Sequence, residues 1–517
     1  MAQSSIRLLC LVCWMFVAAA AAAAPPLWGG LAPGAHRVGF RSFWSADPGR
    51  SYTSPELDIP ADPKHPRPVL VNLWYPAAAG DGAGMPHGDY LKTAPDDSRY
   101  ATLASELAEY ARDVISQETL RTALEDLDDA QRATLDALLA TPTASVRDAA
   151  AAPGPYPLVL YHAGYGSSFE DNAVLCEFLA SHGYIVAGSA FLDGTGESFN
   201  IDAELDSEAD LRHLIRVAGE SLPVDWSRIG MVGHSGGAHT AVRFMSRLGT
   251  PLDAVVLLDT TQDYHSFADT RWNDMVPLAL DSAEDIDVPL LFAARQHAMF
   301  RLGDSFLRAP RMYLTLRDLQ HNSFIAQGVL GAETAGHPDA AAVRAGYDEL
   351  CRAVRLFLDA ELRDEPDARA ALRSRWADAA PGESPVVAEF AAAGEGPPAY
   401  DESLGLPPTP RQMAALLDGK DASRVGELLE RFGDHPRARP FTETEFALSV
   451  MFQLVHEGRE DEARSLLGHF PTPDAEILRV LGAMGNMYRR VGATHLAERF
   501  DRVVEALEPE IEPAPDQ

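Results

Sequence analysis

Six short, continuous apolar runs, at residues 158–161, 184–190, 229–233, 254–258, 289–294 and 312–316, punctuate the middle of this chain. Helical patterns fill several of the intervals, at 171–181, 210–219, 238–247 and 340–362. A run too short for a helix core and apolar on every residue suits a strand buried on both faces. Strands of that kind alternating with helices predict an α/β fold: a mostly parallel sheet covered by helices. A further strand is expected at 69–75, stopping at Pro76. The Pro/Gly-rich stretch at 25–68 reads as loop.

Helical periodicity also marks residues 98–142, where Leu103, Leu107, Tyr110 and Val114 recur at helical spacing, as do Leu120, Leu124 and Leu127, then Leu135 and Leu139. This block reads as a helical insertion. Residues 364–404, rich in Ala, Pro, Gly and charge, read as a linker to an all-α C-terminal domain at 405–509, followed by a tail at 510–517. Within the helical domain Gly458 recurs as Gly492, Ala463 as Ala497 and Leu466 as Phe500, each 34 residues on. The period and the spacing of small residues resemble tetratricopeptide repeats. Two units are too few to stand alone, so they are expected to lean on the main domain or on another copy.

Residues 1–24 carry Arg7, an apolar stretch and a poly-Ala end, the pattern of a secretory signal. The mature chain is therefore expected in the periplasm or outside the cell, with no stable membrane span after cleavage. Cys10 and Cys13 leave with the signal; Cys176 and Cys351 remain as buried thiols or as a disulfide pair. With 43 basic against 76 acidic residues the net charge is -33, which excludes nucleic acid and anionic lipid as natural partners. No metal-ligand spacing, Walker loop or dinucleotide fingerprint is present, so neither metal nor organic cofactor is expected.

The chemistry concentrates in Gly233-His234-Ser235-Gly236-Gly237, which follows one apolar run and opens a helical pattern. A tight strand–turn–helix of this form exposes the central hydroxyl as a nucleophile. Serine needs a base. His321 follows the last run and is the leading candidate, ahead of His265, His297 and His337. The run at 289–294 leads into Arg295-Gln296-His297 with no carboxylate until Asp304, whereas the preceding run ends in Asp259. Asp259 is therefore the expected partner of His321, with Asp263 and Asp304 as alternatives. Gly236 and the loop His162-Ala163-Gly164-Tyr165-Gly166 are expected to supply the oxyanion donors, Tyr165 ahead of Gly164. His162 and His234 are expected along the substrate pocket.

The order Ser235, Asp259, His321 resembles that of alpha/beta-hydrolases. The segments RPVLVNLWYPA at 67–77, PLVLYHAGYGSS at 157–168, LASHGYIVAG at 179–188, VDWSRIGMVGHSGG at 224–237, VVLLD at 255–259 and LQHNSF at 319–324 carry that likeness across about 38–360. An acid directly after the strand that follows the nucleophile helix resembles the platelet-activating factor acetylhydrolase-like and dienelactone hydrolase-like branches. The resemblance implies an alpha/beta-hydrolase domain over 25–363 and a serine carboxylic-ester hydrolase acting on small-molecule or lipid esters of short acyl chains. Lactone or polyester hydrolysis is the enzymatic alternative. A non-catalytic binding protein, recruiting a protein partner or self-associating through 405–509, is the alternative of another class. The sequence departs from the family where His162-Ala163-Gly164 replaces the usual His-Gly pair, which leaves the donor register open.

Overall fold

The computed structural model describes residues 25–54, 66–80, 82–92, 100–193, 204–247, 249–260, 275–472, 474–490 and 492–507. The expected signal, residues 194–203 and the expected 510–517 tail lie outside them. So do His265, Asp263 and the first part of the expected insertion.

Among the described residues ten strands form one sheet: β1 (Arg37–Ser51), β2 (Pro66–Ala77), β3 (Ser145–Arg147), β4 (Tyr156–His162), β5 (Ile185–Gly188), β6 (Val224–His234), β7 (Ala254–Leu258), β8 (Leu290–Arg295), β9 (Arg311–Leu316) and β10 (Val386–Ala391). Their order is β10-β9-β8-β7-β6-β4-β5-β2-β1-β3. The six strands from β9 to β5 are mutually parallel, and all six come from the continuous apolar runs. Antiparallel pairs flank this block, β2 on β5 with β1 on β2, and β10 on β9, while β3 pairs parallel with β1 at the far edge.

Sixteen α-helices accompany the sheet among the described residues. The first ten are α1 (Ala101–Leu120), α2 (Asp129–Leu139), α3 (Ala173–Ser181), α4 (Glu204–Ser221), α5 (Gly236–Met245), α6 (Met275–Asp281), α7 (Arg301–Ser305), α8 (Ala326–Thr334), α9 (Ala340–Leu362) and α10 (Pro366–Ser374). The rest are α11 (Pro410–Asp418), α12 (Ala422–Phe432), α13 (Thr444–His456), α14 (Glu460–Leu466), α15 (Asp474–Arg490) and α16 (Thr494–Leu507). One apolar core joins the sheet to α3, α8 and α9; a second joins its other face to α4, α5 and α6. The strands alternate Val, Leu and Ile between the two cores, which is why the runs are apolar throughout.

Two expectations need correction. The stretch read as loop contains β1, in which only Val38, Gly39 and Phe40 are buried and every later residue is half-exposed or exposed. A strand so little buried carries no continuous apolar run, and Pro48-Gly49 falls at a register shift between Asp47 and Ser51. The segment read as a linker, 364–404, holds α10 and the edge strand β10. Only Val386, Val387 and Ala391 of β10 are buried, so composition masked a strand that its partner defines.

Residues 410–507 form three helical hairpins with a separate core. Ala463, Leu466, Ala497 and Phe500, the residues of the 34-residue repeat, are all buried in that core. The helical domain leans on the sheet domain. Arg411 pairs with Asp304 at 2.6 Å and with Glu389 of β10 at 3.2 Å, and Arg301 reaches Asp418 at 2.6 Å. Among the described residues, no helix is long and apolar enough to cross a membrane.

Candidate active site

The carboxyl ends of β6, β7 and β8 lie side by side, in a register that pairs His234 with Leu258 and Leu258 with Ala293. The next residues of β6 and β7 are Ser235 and Asp259. The Ser235 N–H donates to the Leu258 carbonyl at 3.0 Å, and the Asp259 N–H to the Ala293 carbonyl at 2.7 Å. Both residues take positive φ, 51° and 44°. A left-handed backbone on residues other than glycine costs on the order of 1–3 kcal/mol and persists where the surroundings enforce it. Here the enforcement is packing. A Cβ on Gly233 would lie 2.2 Å from the Gly237 carbonyl oxygen, and one on Gly237 would lie 2.1 Å from that of His162. Only glycine permits the turn from β6 into α5 that lifts Ser235 out of the strand.

His321 begins a short helical turn just beyond β9. Its Nε2 stands 2.9 Å from Ser235 Oγ, and its Nδ1 2.6 Å from Asp259 Oδ2. A carboxylate can only accept, so Nδ1 carries the proton and Nε2 presents its lone pair to the serine hydroxyl. Asp259 is fully buried, a position that costs a carboxylate several kcal/mol unless it is well paired. Its pairing includes the Arg295 N–H at 3.3 Å from Oδ1 and the Arg295 Nε at 3.4 Å from Oδ2. The structure thus brings Ser235, His321 and Asp259 into one hydrogen-bonded line. Proton withdrawal from Ser235 by His321 is the chemistry this geometry allows.

The candidate oxyanion loop closes over the serine. Gly164 packs against it so tightly that a Cβ would stand 3.2 Å from Ser235 Cβ. The Tyr165 ring covers Gly236, the first residue of α5, where a Cβ would meet it at 2.3 Å, and the Tyr165 hydroxyl lies 3.2 Å from His239 Nδ1. A helix's first N–H groups lack intrahelical partners, so the Gly236 N–H belongs to a natural anion-facing end.

The other candidates fall elsewhere. His162 and His234, expected along the pocket, are buried within the scaffold. His162 stacks on Phe191 with ring centroids 3.8 Å apart, and its Nδ1 meets the Ala163 carbonyl at 2.7 Å. His234 Nε2 donates to the His321 carbonyl at 3.1 Å, holding the histidine's backbone from below. Burial lowers His162 to about 4; burial and then the neighbouring His321 lower His234 to about 3. Both are neutral props. His297 is also buried and lowered to about 3, first by desolvation and then by Arg295. His337 is exposed and faces Asp339 at 3.9 Å. Asp304 is taken up by the Tyr313 hydroxyl at 2.7 Å and by Arg411. Cys176 and Cys351 are buried free thiols.

Several residues near the site carry no motif. Tyr110 of α1 donates to the Gly166 carbonyl at 2.6 Å, and Glu118 of α1 accepts from Asn322, next to His321, at 2.8 and 2.9 Å. Beneath the loop, Asp171 accepts from Tyr161 at 2.5 Å and from Ser167 at 2.7 Å. Glu170 accepts from Ser168 at 2.6 Å and from Gln327 of α8 at 3.1 Å. Burial outweighs these donors and raises Glu170 to about 8 and Asp171 to about 7. Arg295 could have been noticed as the residue that directly follows an apolar run where a carboxylate was sought. The others depend on long-range packing and leave no local signal. Among the described residues, no cluster of three or more His, Cys, Asp or Glu could hold a metal ion.

No protein-family model matches the chain, and no curated protein does. Among solved structures, a ferulic acid esterase from Streptomyces cinnamoneus is similar at 21% sequence identity, over 66% of this chain and 93% of that chain, with a TM-score of 0.45.

Proposed function

We propose that this chain is a serine carboxylic-ester hydrolase built on an alpha/beta-hydrolase fold. The observation that carries the reading is the line from Asp259 Oδ2 through His321 to Ser235 Oγ, with spacings of 2.6 and 2.9 Å. In this reading Ser235 attacks the ester carbonyl while His321 takes its proton. Asp259 fixes the imidazole tautomer and stabilises the imidazolium that forms. The Gly236 N–H and an N–H from the Gly164-Tyr165 turn receive the oxyanion. His321 then protonates the departing alcohol. Water, activated by the same imidazole, attacks the acyl-enzyme and releases the carboxylic acid with Ser235 restored.

The likeness to acetylhydrolase-like and dienelactone hydrolase-like enzymes supports short-chain acyl esters as substrates. Residues 1–24 support export to the periplasm or beyond, and the 34-residue repeat supports a tetratricopeptide-like tail. Hydrolysis of p-nitrophenyl acetate and longer p-nitrophenyl esters by the purified mature chain tests the reading. Wild type should turn over, and Ser235→Ala should lose on the order of 10⁴- to 10⁶-fold in kcat. Equal rates for the two proteins would refute it.

A further inference from the structure

The C-terminal helical domain touches the sheet domain at a telling place. The segment just after β8 begins with Arg295, whose N–H and Nε both reach Asp259. The next residue, Gln296, donates from Nε2 to Glu443 Oε1, at the start of α13, at 2.7 Å. Three residues on, the chain runs between two cores. Ala298 and Phe300 are buried in the core of the sheet domain, while Met299 between them is buried in the core of the helical domain. Phe300 takes a φ of 53°, a conformation that a bulky residue keeps only when its surroundings enforce it. Arg301 then pairs with Asp418 at 2.6 Å and with Glu457 at 3.0 Å.

We propose that the helical domain is part of the support of the active site: its grip on residues 296–301 holds Arg295 against Asp259, and Arg295 is a positioning residue for the Asp259–His321 pair. The inference rests on the ester-hydrolase reading. It differs from a recruitment role, in which the domain could be loosened without effect on the chemistry. The physical reason is placement. A buried carboxylate that must accept from His321 at 2.6 Å has little freedom, and a displacement of about 1 Å in such a site costs on the order of 100-fold in rate. Among the described residues, the groups facing Asp259 include His321, Arg295 and the buried imidazoles of His234 and His297.

The test uses the full-length enzyme and p-nitrophenyl acetate, with Arg295→Met, Arg295→Lys, Glu443→Ala and the double variant Arg295→Met/Glu443→Ala. Arg295→Met should lower kcat by roughly 10- to 100-fold with KM little changed, and Arg295→Lys should recover part of the loss. Removing a cation from beside the pair should also move the acid limb of kcat/KM to higher pH, which loss of packing alone would not do. Glu443 is only half-buried, so Glu443→Ala should fold; it should lower kcat severalfold in the wild-type background. In the Arg295→Met background it should add nothing, because both changes break one chain of contacts. Arg502→Ala, which breaks a pair with Glu460 elsewhere in the helical domain, should leave kcat unchanged. Unchanged kcat and pH profile in Arg295→Met, or full additivity in the double variant, would overturn the proposal. A wild-type enzyme with no esterase activity at all would instead overturn the underlying reading.

Discussion

On one flank of Ser235, the loop at residues 163–168 is tied down by hydrogen bonds from hydroxyls and by carboxyl groups that burial keeps protonated to near-neutral pH. Tyr110 holds Gly166 from the insertion helix, and Asp171 and Glu170 hold Ser167 and Ser168 from beneath. On the other flank, Asp259 is held by full charges, with Arg295 beside it and the pairs Arg301–Asp418 and Arg411–Asp304 behind. Under the proposed mechanism, the flank that meets a developing oxyanion is built from dipoles and neutral groups, and the flank that stabilises an imidazolium is built around a fixed carboxylate. Each side elements' charge state suits the charge that appears next to it. Each flank is also braced by one of the two helical additions, α1 by the loop and the C-terminal domain by the acid.

The contrast can be broken most severely at the acid. Asp259→Asn removes the group that sets the His321 tautomer and should cost about 10⁴-fold in kcat, as measured on p-nitrophenyl acetate. Asp304→Asn keeps an acceptor for Tyr313 and Arg411 and should cost a few-fold at most. The reverse order would move the acid to Asp304. Next comes Gly237→Ala, whose Cβ would sit 2.1 Å from the His162 carbonyl oxygen at the end of β4. Overpacking against backbone should destabilise by about 3 kcal/mol and abolish activity. Thermal melting checks this, and an unchanged midpoint would show that the two backbones are not in contact.

Tyr110→Phe should be milder. It deletes one hydrogen bond to the Gly166 carbonyl, worth about 1 kcal/mol, so kcat should fall by roughly fivefold with KM nearly constant. No change would mean that the loop stands without the insertion.

The smallest effect concerns pH. Unfolded carboxyls ionise near pH 4, whereas burial keeps Glu170 protonated up to about 8 and Asp171 up to about 7. The folded state therefore binds more protons between these limits. This contribution to stability is complete below about pH 4 and is lost as pH rises through 7 to 8. Glu170→Gln cannot ionise and should flatten the fall of Tm between pH 5 and 8. An unchanged slope would show that Glu170 does not titrate there.

The two flanks also differ in how far the sequence discloses them. Ser235 is legible because the turn needs glycines at fixed positions, and the sequence has them. Asp259 is legible because it directly follows an apolar run, and His321 because it lies a few residues beyond the last one; strand ends are where a parallel sheet gathers polar groups. The braces are not legible. Arg295 meets Asp259 only because β7 and β8 pair in a particular register. Gln296 meets Glu443 across 147 residues of chain. Strands β1 and β10 leave little local signal for a related reason: each is only partly buried, and their partners rather than their own composition make them strands.

The central claim is that Ser235 is an activated nucleophile. Its most direct test is a fluorophosphonate probe applied to the folded protein, followed by mass mapping of the adduct. The account predicts one adduct, on the peptide containing Ser235, lost in Ser235→Ala and strongly slowed in His321→Ala. An unlabelled protein, or an adduct on a different serine, would contradict it.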